Sequence, residues 1–553
     1  MNTHLSTAQH AFSTTQDILQ KAISFVKGLV NNNGRVSLKE LDKRQLPSFE
    51  LAWCAAELQA SEAMLSYVKD LSEASVDTET LDWESKLAFV YLARSISRIQ
   101  GRLAQRLPEY GLTFNDLAPL NMEGIGEFCL KFQSSEELQN LGQKAAEHKR
   151  DHITHWTNEE QELMRETFAR LADEVVAPQA EEIHRHDLDI PDSIINPLLE
   201  MGIFGLSIPE QYGGLCSDDH EDTIGMIVAT EELSRGSLGA AGSLITRPEI
   251  LARALLAGGT EEQKNHWLPK LAAGDPFCAV AVTEPNYGSD VAGMQFKATK
   301  VEGGWRLNGV KTWCTFGGKA GVLLVLARTE SDPELGHKGL SLLLAEKPTF
   351  AGHEFSYEQP EGGQISGRAI PTMGYRGMHS FETFFDNYFV PDSHLIGGDA
   401  GRGRGFYYMM AGFAGGRIQT AARALGVMQA AVDDARTYAS ERSIFGQTLD
   451  QYGLTQAKLA LLVAQLSAAR KLTYHVGRLM NEGKGQVEAS LAKLLTCRMA
   501  EEITREAMQI YGGMGYAEET NVSRYFVDAR VLSIFEGAEE VLALRVIARQ
   551  LFS

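Results

Sequence analysis

The sequence predicts an α+β, mostly α chain in which helical domains flank a small antiparallel β domain and an extra helical segment stands in front. Three observations carry this. Apolar residues recur at helical spacing from the N-terminus to about residue 278. Short β-branched and aromatic runs, punctuated by Gly, Pro and Asp, then occupy 279–395. Helical spacing returns at 396 and continues to Ser553.

The first segment, residues 1–155, holds "FELAWCAAELQASEAMLSYVKDL" and "WESKLAFVYLARSISRIQGRLAQRL", two amphipathic runs joined by the polar stretch "SEASVDTETLDWES". They predict a helical hairpin with accessory helices. The charged stretch "AAEHKRDHITHWTNEEQ" marks the junction with a second helical domain, 156–278, which Pro and Gly interrupt in "SIPEQYGGLCSDD". In 279–395, "CAVAVTEPNYGSD", "WRLNGVKTWCTFGG", "AGVLLVLART", "GLSLLLAE" and "TFFDNYFVP" are the strands of the β domain. After "GGDAGRGRGF" a C-terminal helical domain fills 396–553. The front hairpin has an echo there. "LAWCAAELQA" (51–60) agrees with "LALLVAQLSA" (459–468) at five of ten positions, and "LAFVYLARSISRI" (87–99) with "LAKLLTCRMAEEI" (491–503) at four of thirteen. Chance agreement between Ala/Leu-rich helices explains this about as well as duplication does.

The 553-residue chain is 44% apolar and 22% charged, an ordinary globular composition too long for one core. A formal net charge of -20 with no basic block argues against nucleic-acid and membrane partners, since both require phosphate neutralisation. An anionic substrate must then be met locally. The six cysteines are scattered, without Cys-x-x-Cys pairs or histidines at metal spacing, and read as reduced packing residues with no metal site. "MNTHLSTAQHAFSTTQDILQ" lacks the basic and apolar regions of a signal peptide, so a cytoplasmic location is expected.

Two neighbouring segments suggest chemistry. "AVTEPNYGSD" (281–290) is a strand end entering a Pro/Gly loop whose hydroxyls and backbone N–H groups suit polar ring edges and phosphate oxygens. "KTWCTFGG" (311–318) places Trp313 and Thr315 two apart, on one side of a strand. A surface turn and a core aromatic are the plainer readings. Near the C-terminus, "VLSIFEGAEEVL" sets Glu536 beside Phe535 in an apolar run, where a carboxylate is costly unless it is used. Glu539 and Glu540 fit the start of a helix.

These segments, with "RSIFGQTL" (442–449), "QIYGGMGY" (509–516) and "IFEGAEEV" (534–541), resemble in order and spacing the acyl-CoA dehydrogenase family over about 157–553. The resemblance implies an N-terminal helical domain, a middle β domain and a C-terminal four-helix bundle, with FAD as cofactor between the β domain and the bundle. It implies that Val282, Thr283 and Ser289 meet the flavin ring edge and pyrophosphate, and that Trp313 and Thr315 flank the ring. Arg442 and Phe445, with Gln509 and Gly513, would reach the FAD of the neighbouring subunit. Ala538 departs from the threonine that many members carry there.

The same resemblance makes Glu536 the base that removes the α-proton of an acyl-CoA thioester, with Gly537 beside the substrate and the β-hydride passing to FAD. The base's own backbone N–H would help polarise the thioester carbonyl. Some members carry the base just before a bundle arginine, but that position is Gly416, next to Arg417. Arg417 resembles an arginine that supports the active-site loop or the CoA, a structural ion pair being the alternative. Arg247 and Arg235 stand in the segment that encloses the acyl tail in the family, where an arginine suits a terminal carboxylate. Together with small residues in "GSLGAAGS" and the N-terminal extension, this implies a short branched dicarboxylic acyl-CoA; Arg247 pointing outward, or pairing with Glu249 or Asp275, is the plainer alternative. Electron-transferring flavoprotein is the implied acceptor. A homodimer is expected if the extension covers the bundle surface that otherwise meets a second dimer. The rivals are a short or branched-chain monocarboxylic acyl-CoA dehydrogenase, an acyl-CoA oxidase, a DNA-binding flavoprotein of the same fold, and a flavin-bound scaffold without turnover.

Overall fold

A computed structural model describes residues 2–74, 76–122, 124–147 and 153–553. Of the predicted junction, residues 148–152 lie outside the described residues. The chain forms two compact units. One comprises the residues up to Leu163 together with Thr420–Ser553, and the other is Met164–Gln419.

The extension contains α1 (Asn2–Val30), α2 (Gln45–Glu73), α3 (Thr78–Ala104) and α4 (Ser135–Glu147). Asp77 caps α3, its carboxylate accepting from the N–H groups of Glu79 and Thr80 at 3.0 and 2.9 Å, which satisfies two donors the first turn would orphan. In the second unit, α5 (Thr223–Gly236) and α6 (Thr246–Gly258) precede an eight-stranded sheet. Its strands are β1 (Cys278–Ala281), β2 (Lys297–Val301), β3 (Gly304–Thr315), β4 (Val322–Arg328), β5 (Leu340–Glu346), β6 (Glu354–Glu358), β7 (Gln364–Ala369) and β8 (Ser380–Pro391). The order is β1-β4-β2-β3-β8-β7-β6, with β5 also on β4. The sheet is not purely antiparallel: β1 lies parallel to β4, because the chain makes the β2–β3 hairpin before returning in its first direction.

The bundle follows with α7 (Gly405–Glu441), α8 (Gly453–Asn481), α9 (Glu488–Ile510) and α10 (Asn521–Leu532); residues of α7 from Thr420 onward belong to the first unit. Within that unit the extension packs on the bundle, α2 against α8 and α9, α3 against α8, and α4 against α8. The echoed hairpins thus lie against each other. Leu51 comes six residues after the start of α2 and Leu459 six after the start of α8. Equivalent positions meet at the centre: Arg98 donates to Glu57 at 2.9 Å and to Glu502 at 3.4 Å, while Gln465 donates to Glu502 at 2.9 Å. Glu57 also accepts from the hydroxyls of Tyr91 and Ser95, so the buried carboxylate has a partner on each side. A second link joins α8 to α3, where buried Lys471 meets buried Glu84 at 2.5 Å. Among the described residues no helix is long and apolar enough to cross a membrane.

Candidate active site

In the second unit, a buried lysine organises the 281–290 loop. Lys311 Nζ donates to the Val282 carbonyl at 2.9 Å and to Glu284 at 3.1 Å, and Glu284 in turn accepts from the N–H groups of Gln295 and Phe296. Burial, partly offset by Glu284, pushes the Lys311 pKa down to about 8. Thr283 is further pinned through its carbonyl, which accepts from Thr312 N at 2.8 Å. The Val282 side chain is buried in the core, so only its backbone is left to meet a ring edge, whereas Ser289 is exposed.

Trp313 and Thr315 lie on one side of the strand, as their spacing predicts, but differ in exposure. Cys314 pairs with Phe381 and Lys311 with Thr383, so Thr312 and Trp313 together oppose Glu382 in a β-bulge. Trp313 takes φ +57, a left-handed conformation that costs a bulky residue about 1–2 kcal/mol, and its indole is 53% exposed. Thr315 is buried and its hydroxyl shares a hydrogen bond with Ser380 at 2.9 Å. Beneath this segment, Phe316 N donates to the carbonyls of Met378 and His379. The His379 ring lies between two aspartates, Nδ1 3.0 Å from Asp189 and Nε2 3.2 Å from Asp187, with the His353 ring 4.3 Å away. Burial alone would lower its pKa, but the bond to Asp189 and the two charges outweigh that and raise it. Asp187, His353 and His379 thus bring potential ligand atoms within 4.8 Å of one another, with His379 joined to both aspartates by hydrogen bonds.

The two arginines of the expected acyl wall differ. Arg235 meets Glu232 at 2.8 Å, Asp173 at 2.5 Å and the Ala169 carbonyl at 3.2 Å. Its guanidinium is fully engaged in this network, which corrects the expectation that it receives a substrate carboxylate. Arg247 is 7% exposed, hydrogen-bonds the Ser243 carbonyl of its own chain segment at 3.0 Å, and meets no acid among the described residues. Neither alternative partner is taken: Glu249 binds Arg253 at 2.8 Å and Gln419, and Asp275 makes no ion pair with Arg247. Gly416 is buried in α7, so the second family position for a base carries no carboxylate, and Arg417 stands half-buried one residue on.

In the first unit, Glu536 follows α10 with φ +55 and Gly537 with φ +102, which turns the chain sharply ahead of a short helix at Glu539–Val541. Three cations hold this loop. Arg423 lies 4.7 Å over the Phe535 ring, buried Lys493 donates to the Gly537 carbonyl at 2.7 Å, and Arg498 meets both oxygens of Glu539 at 2.6 and 2.5 Å. The setting of Glu536 is therefore less apolar than its neighbour Phe535 suggests. Burial lowers the Lys493 pKa, with Cys497 and Glu536 opposing the shift. Glu536 Oε2 is buried and accepts no hydrogen bond among the described residues. Lys493, Arg423 and Arg498 were missed from sequence; the one signal was a lysine on the apolar face of α9.

Arg442 and Phe445 occupy a tight hairpin in which Ser443–Ile444 pairs with Gln447–Thr448. Phe445 has φ +46 and is 96% exposed, while Gln509 and Gly513 are exposed at the end of α9. An exposed aromatic on a strained turn suits contact with another surface.

The chain matches the acyl-CoA dehydrogenase N-terminal domain over 158–275, the middle domain over 279–388 and the C-terminal domain over 403–552. It is 36% identical to (2S)-methylsuccinyl-CoA dehydrogenase of Cereibacter sphaeroides, covering 99% of this chain and 98% of that one. Among solved structures it is similar to butyryl-CoA dehydrogenase from Megasphaera elsdenii, at 32% identity and TM-score 0.65 over 72% of this chain and 99% of that one. It is also similar to glutaryl-coenzyme A dehydrogenase in its glutaryl-CoA complex, at 27% identity and TM-score 0.64 over 71% of this chain and 96% of that one. The chain belongs to the acyl-CoA dehydrogenase family, whose members are FAD-dependent oxidoreductases acting on CH–CH bonds.

Proposed function

We propose that the protein dehydrogenates a short branched dicarboxylic acyl-CoA, (2S)-methylsuccinyl-CoA, to mesaconyl-CoA, a step of the ethylmalonyl-CoA route of acetate assimilation. The observation that carries the substrate is Arg247. A buried guanidinium without a counter-ion costs several kcal/mol, and the distal carboxylate of a diacid thioester would offset that cost through a paired hydrogen bond. The relative matching nearly the full length, extension included, acts on such a diacid by its name.

The residues fit FAD. The exposed Trp313 indole on a strained bulge is a stacking surface, the 281–290 loop is pinned from beneath by Lys311, and a Cβ at Gly288 would meet little, leaving its backbone open. Thr283, Ser289 and Thr315 supply hydroxyls, and Arg442, Phe445, Gln509 and Gly513 are assigned to the partner subunit's cofactor. Bound there, FAD supplies the acceptor for the β-hydride. Glu536 removes the α-proton: its orphaned buried oxygen is a base awaiting a proton donor. Gly537 stands beside the substrate, where φ +102 and a Cβ that would press on Leu542 both call for glycine in the turn after Glu536, and Arg417 supports the loop or the CoA. Electron-transferring flavoprotein takes the electrons onward. The covered bundle face supports a homodimer, and light scattering that returns a tetramer would remove that part of the reading.

The test is anaerobic mixing of the holoenzyme with methylsuccinyl-CoA, succinyl-CoA, butyryl-CoA and isobutyryl-CoA while the flavin absorbance bleaches. The branched diacid is expected to react fastest, and Arg247→Met to abolish its advantage. Faster bleaching by butyryl-CoA than by both diacids would replace the substrate with a monocarboxylic one.

A further inference from the structure

The N-terminal extension reaches the loop of Glu536 through one aromatic side chain. Trp53 on α2 is 4% exposed, and two guanidiniums lie over its ring, Arg102 at 5.6 Å and Arg498 at 5.5 Å from the centroid. Arg102 is anchored by Glu50. Arg498 belongs to α9 and carries the ion pair to Glu539, three residues beyond Glu536.

Arg498 is about half exposed, at 45%, while Glu539 is mostly buried, and solvent on the arginine side screens the pair and leaves the long Arg498 side chain to be ordered. A hollow of about 270 Å³ opens beside it, lined among others by Trp53, Arg102 and Glu539, so the arginine has room to swing away. The indole removes that freedom. A guanidinium over a tryptophan face is attracted by the ring's quadrupole with a strength comparable to that of a screened ion pair, while its N–H groups remain bonded to the Glu539 carboxylate.

We propose that Trp53 is a positioning residue for the dehydrogenation: it holds Arg498 in the rotamer that grips Glu539, and thereby fixes the register of the loop bearing Glu536. The loop is then anchored from α9 at two points after Glu536, by Lys493 at Gly537 and by Arg498 at Glu539, and the second anchor depends on the extension. The extension is part of the catalytic apparatus in addition to covering the bundle. This inference rests on the reading of Glu536 as the base.

The experiment follows single-turnover flavin bleaching of full-length holoenzyme at saturating methylsuccinyl-CoA across pH, with FAD content and thermal midpoint recorded for each variant. Trp53→Ala is expected to slow bleaching about tenfold and to move the midpoint of its pH profile, with substrate Kd changed less than twofold and FAD content unchanged. Trp53→Phe is expected to recover most of the rate. Arg498→Gln, at a half-exposed site that tolerates substitution, is expected to give the same loss, and the double variant no more than either single one. Unchanged rates in Trp53→Ala and Arg498→Gln, or losses that multiply in the double variant, overturn the proposal. Should Trp53→Ala fail to fold, Arg498→Gln and Trp53→Phe decide alone: the first slow and the second near wild type supports it, any other pattern overturns it. Glu536→Gln separates the two readings, because full bleaching in that variant removes the base, while its silence beside an unaffected Trp53→Ala removes only the brace.

Discussion

The echoed hairpins, α2–α3 in the extension and α8–α9 in the bundle, share a frame and differ where one of them meets the loop of Glu536. With Leu87 set on Leu491, Phe89 stands where the bundle has Lys493, and Arg94 where it has Arg498. Phe89 packs among aromatic rings, 5.8 Å from Phe128 and 5.1 Å from Phe132. Lys493 is equally buried but donates to Gly537. A ring needs only contact, whereas a buried ammonium needs an acceptor to offset its lost hydration. One helical position therefore packs in one hairpin and holds a loop in the other. The arginines repeat the lesson, since Arg498 grips Glu539 and Arg94 makes no ion pair among the described residues. The bundle hairpin carries charge where a functional loop receives it, and the extension hairpin uses the corresponding surface for packing.

The largest effect is expected from forcing the bundle's chemistry onto the extension. Phe89→Lys buries an ammonium with no carbonyl prepared for it, and the unfolding free energy is expected to fall by about 3–5 kcal/mol. Urea denaturation of the holoenzyme measures this. A loss below about 1 kcal/mol would mean that the site already offers an acceptor, and the contrast would fail. The reverse exchange, Lys493→Met, keeps the helix packed but frees the Gly537 carbonyl. Bleaching by the acyl-CoA is expected to slow about 10–100-fold, within the range that misplacing one catalytic group costs, while the thermal midpoint moves little. A large fall in that midpoint with bleaching intact would make Lys493 a stability element instead.

The helices and strands were legible because their signals are local. Period 3.6 marks α2 and α8, and short apolar runs mark β4 and β5. What was not legible depends on partners distant in sequence. The bulge at Trp313 is a mismatch of register between β3 and β8, and neither strand carries it alone. Glu536 was identifiable from its motif, yet its cradle was not, because Lys493 and Gly537 are joined only in the fold. Arg235 and Arg247 look alike in an apolar segment. Glu232, three residues before Arg235, was a usable hint of an ion pair, but Asp173, which completes that network, was not. For Arg247 the informative fact is the lack of any acid beside it among the described residues, which only the folded chain displays.

The smallest effect, and the sharpest test of the contrast, is a pH dependence that one hairpin has and the other lacks. Burial lowers the pKa of Lys493 in the folded chain, and in the unfolded chain a lysine titrates near about 10.4. Between those two values the unfolded state binds more protons, so the unfolding free energy rises with pH. Below the folded value both states are protonated and the cost of burying the cation is present in full. Above the unfolded value that cost is gone. The stability of the wild type minus that of Lys493→Met is therefore expected to climb through the alkaline window, while the wild type minus Phe89→Leu stays level. Other alkaline groups such as Lys311 are common to every chain and cancel in the subtraction. Denaturation at stepped pH reads both differences. A flat line for Lys493→Met would mean that water reaches this ammonium in the fold, and the cation would then be an exposed neighbour of the Glu536 loop instead of its buried anchor.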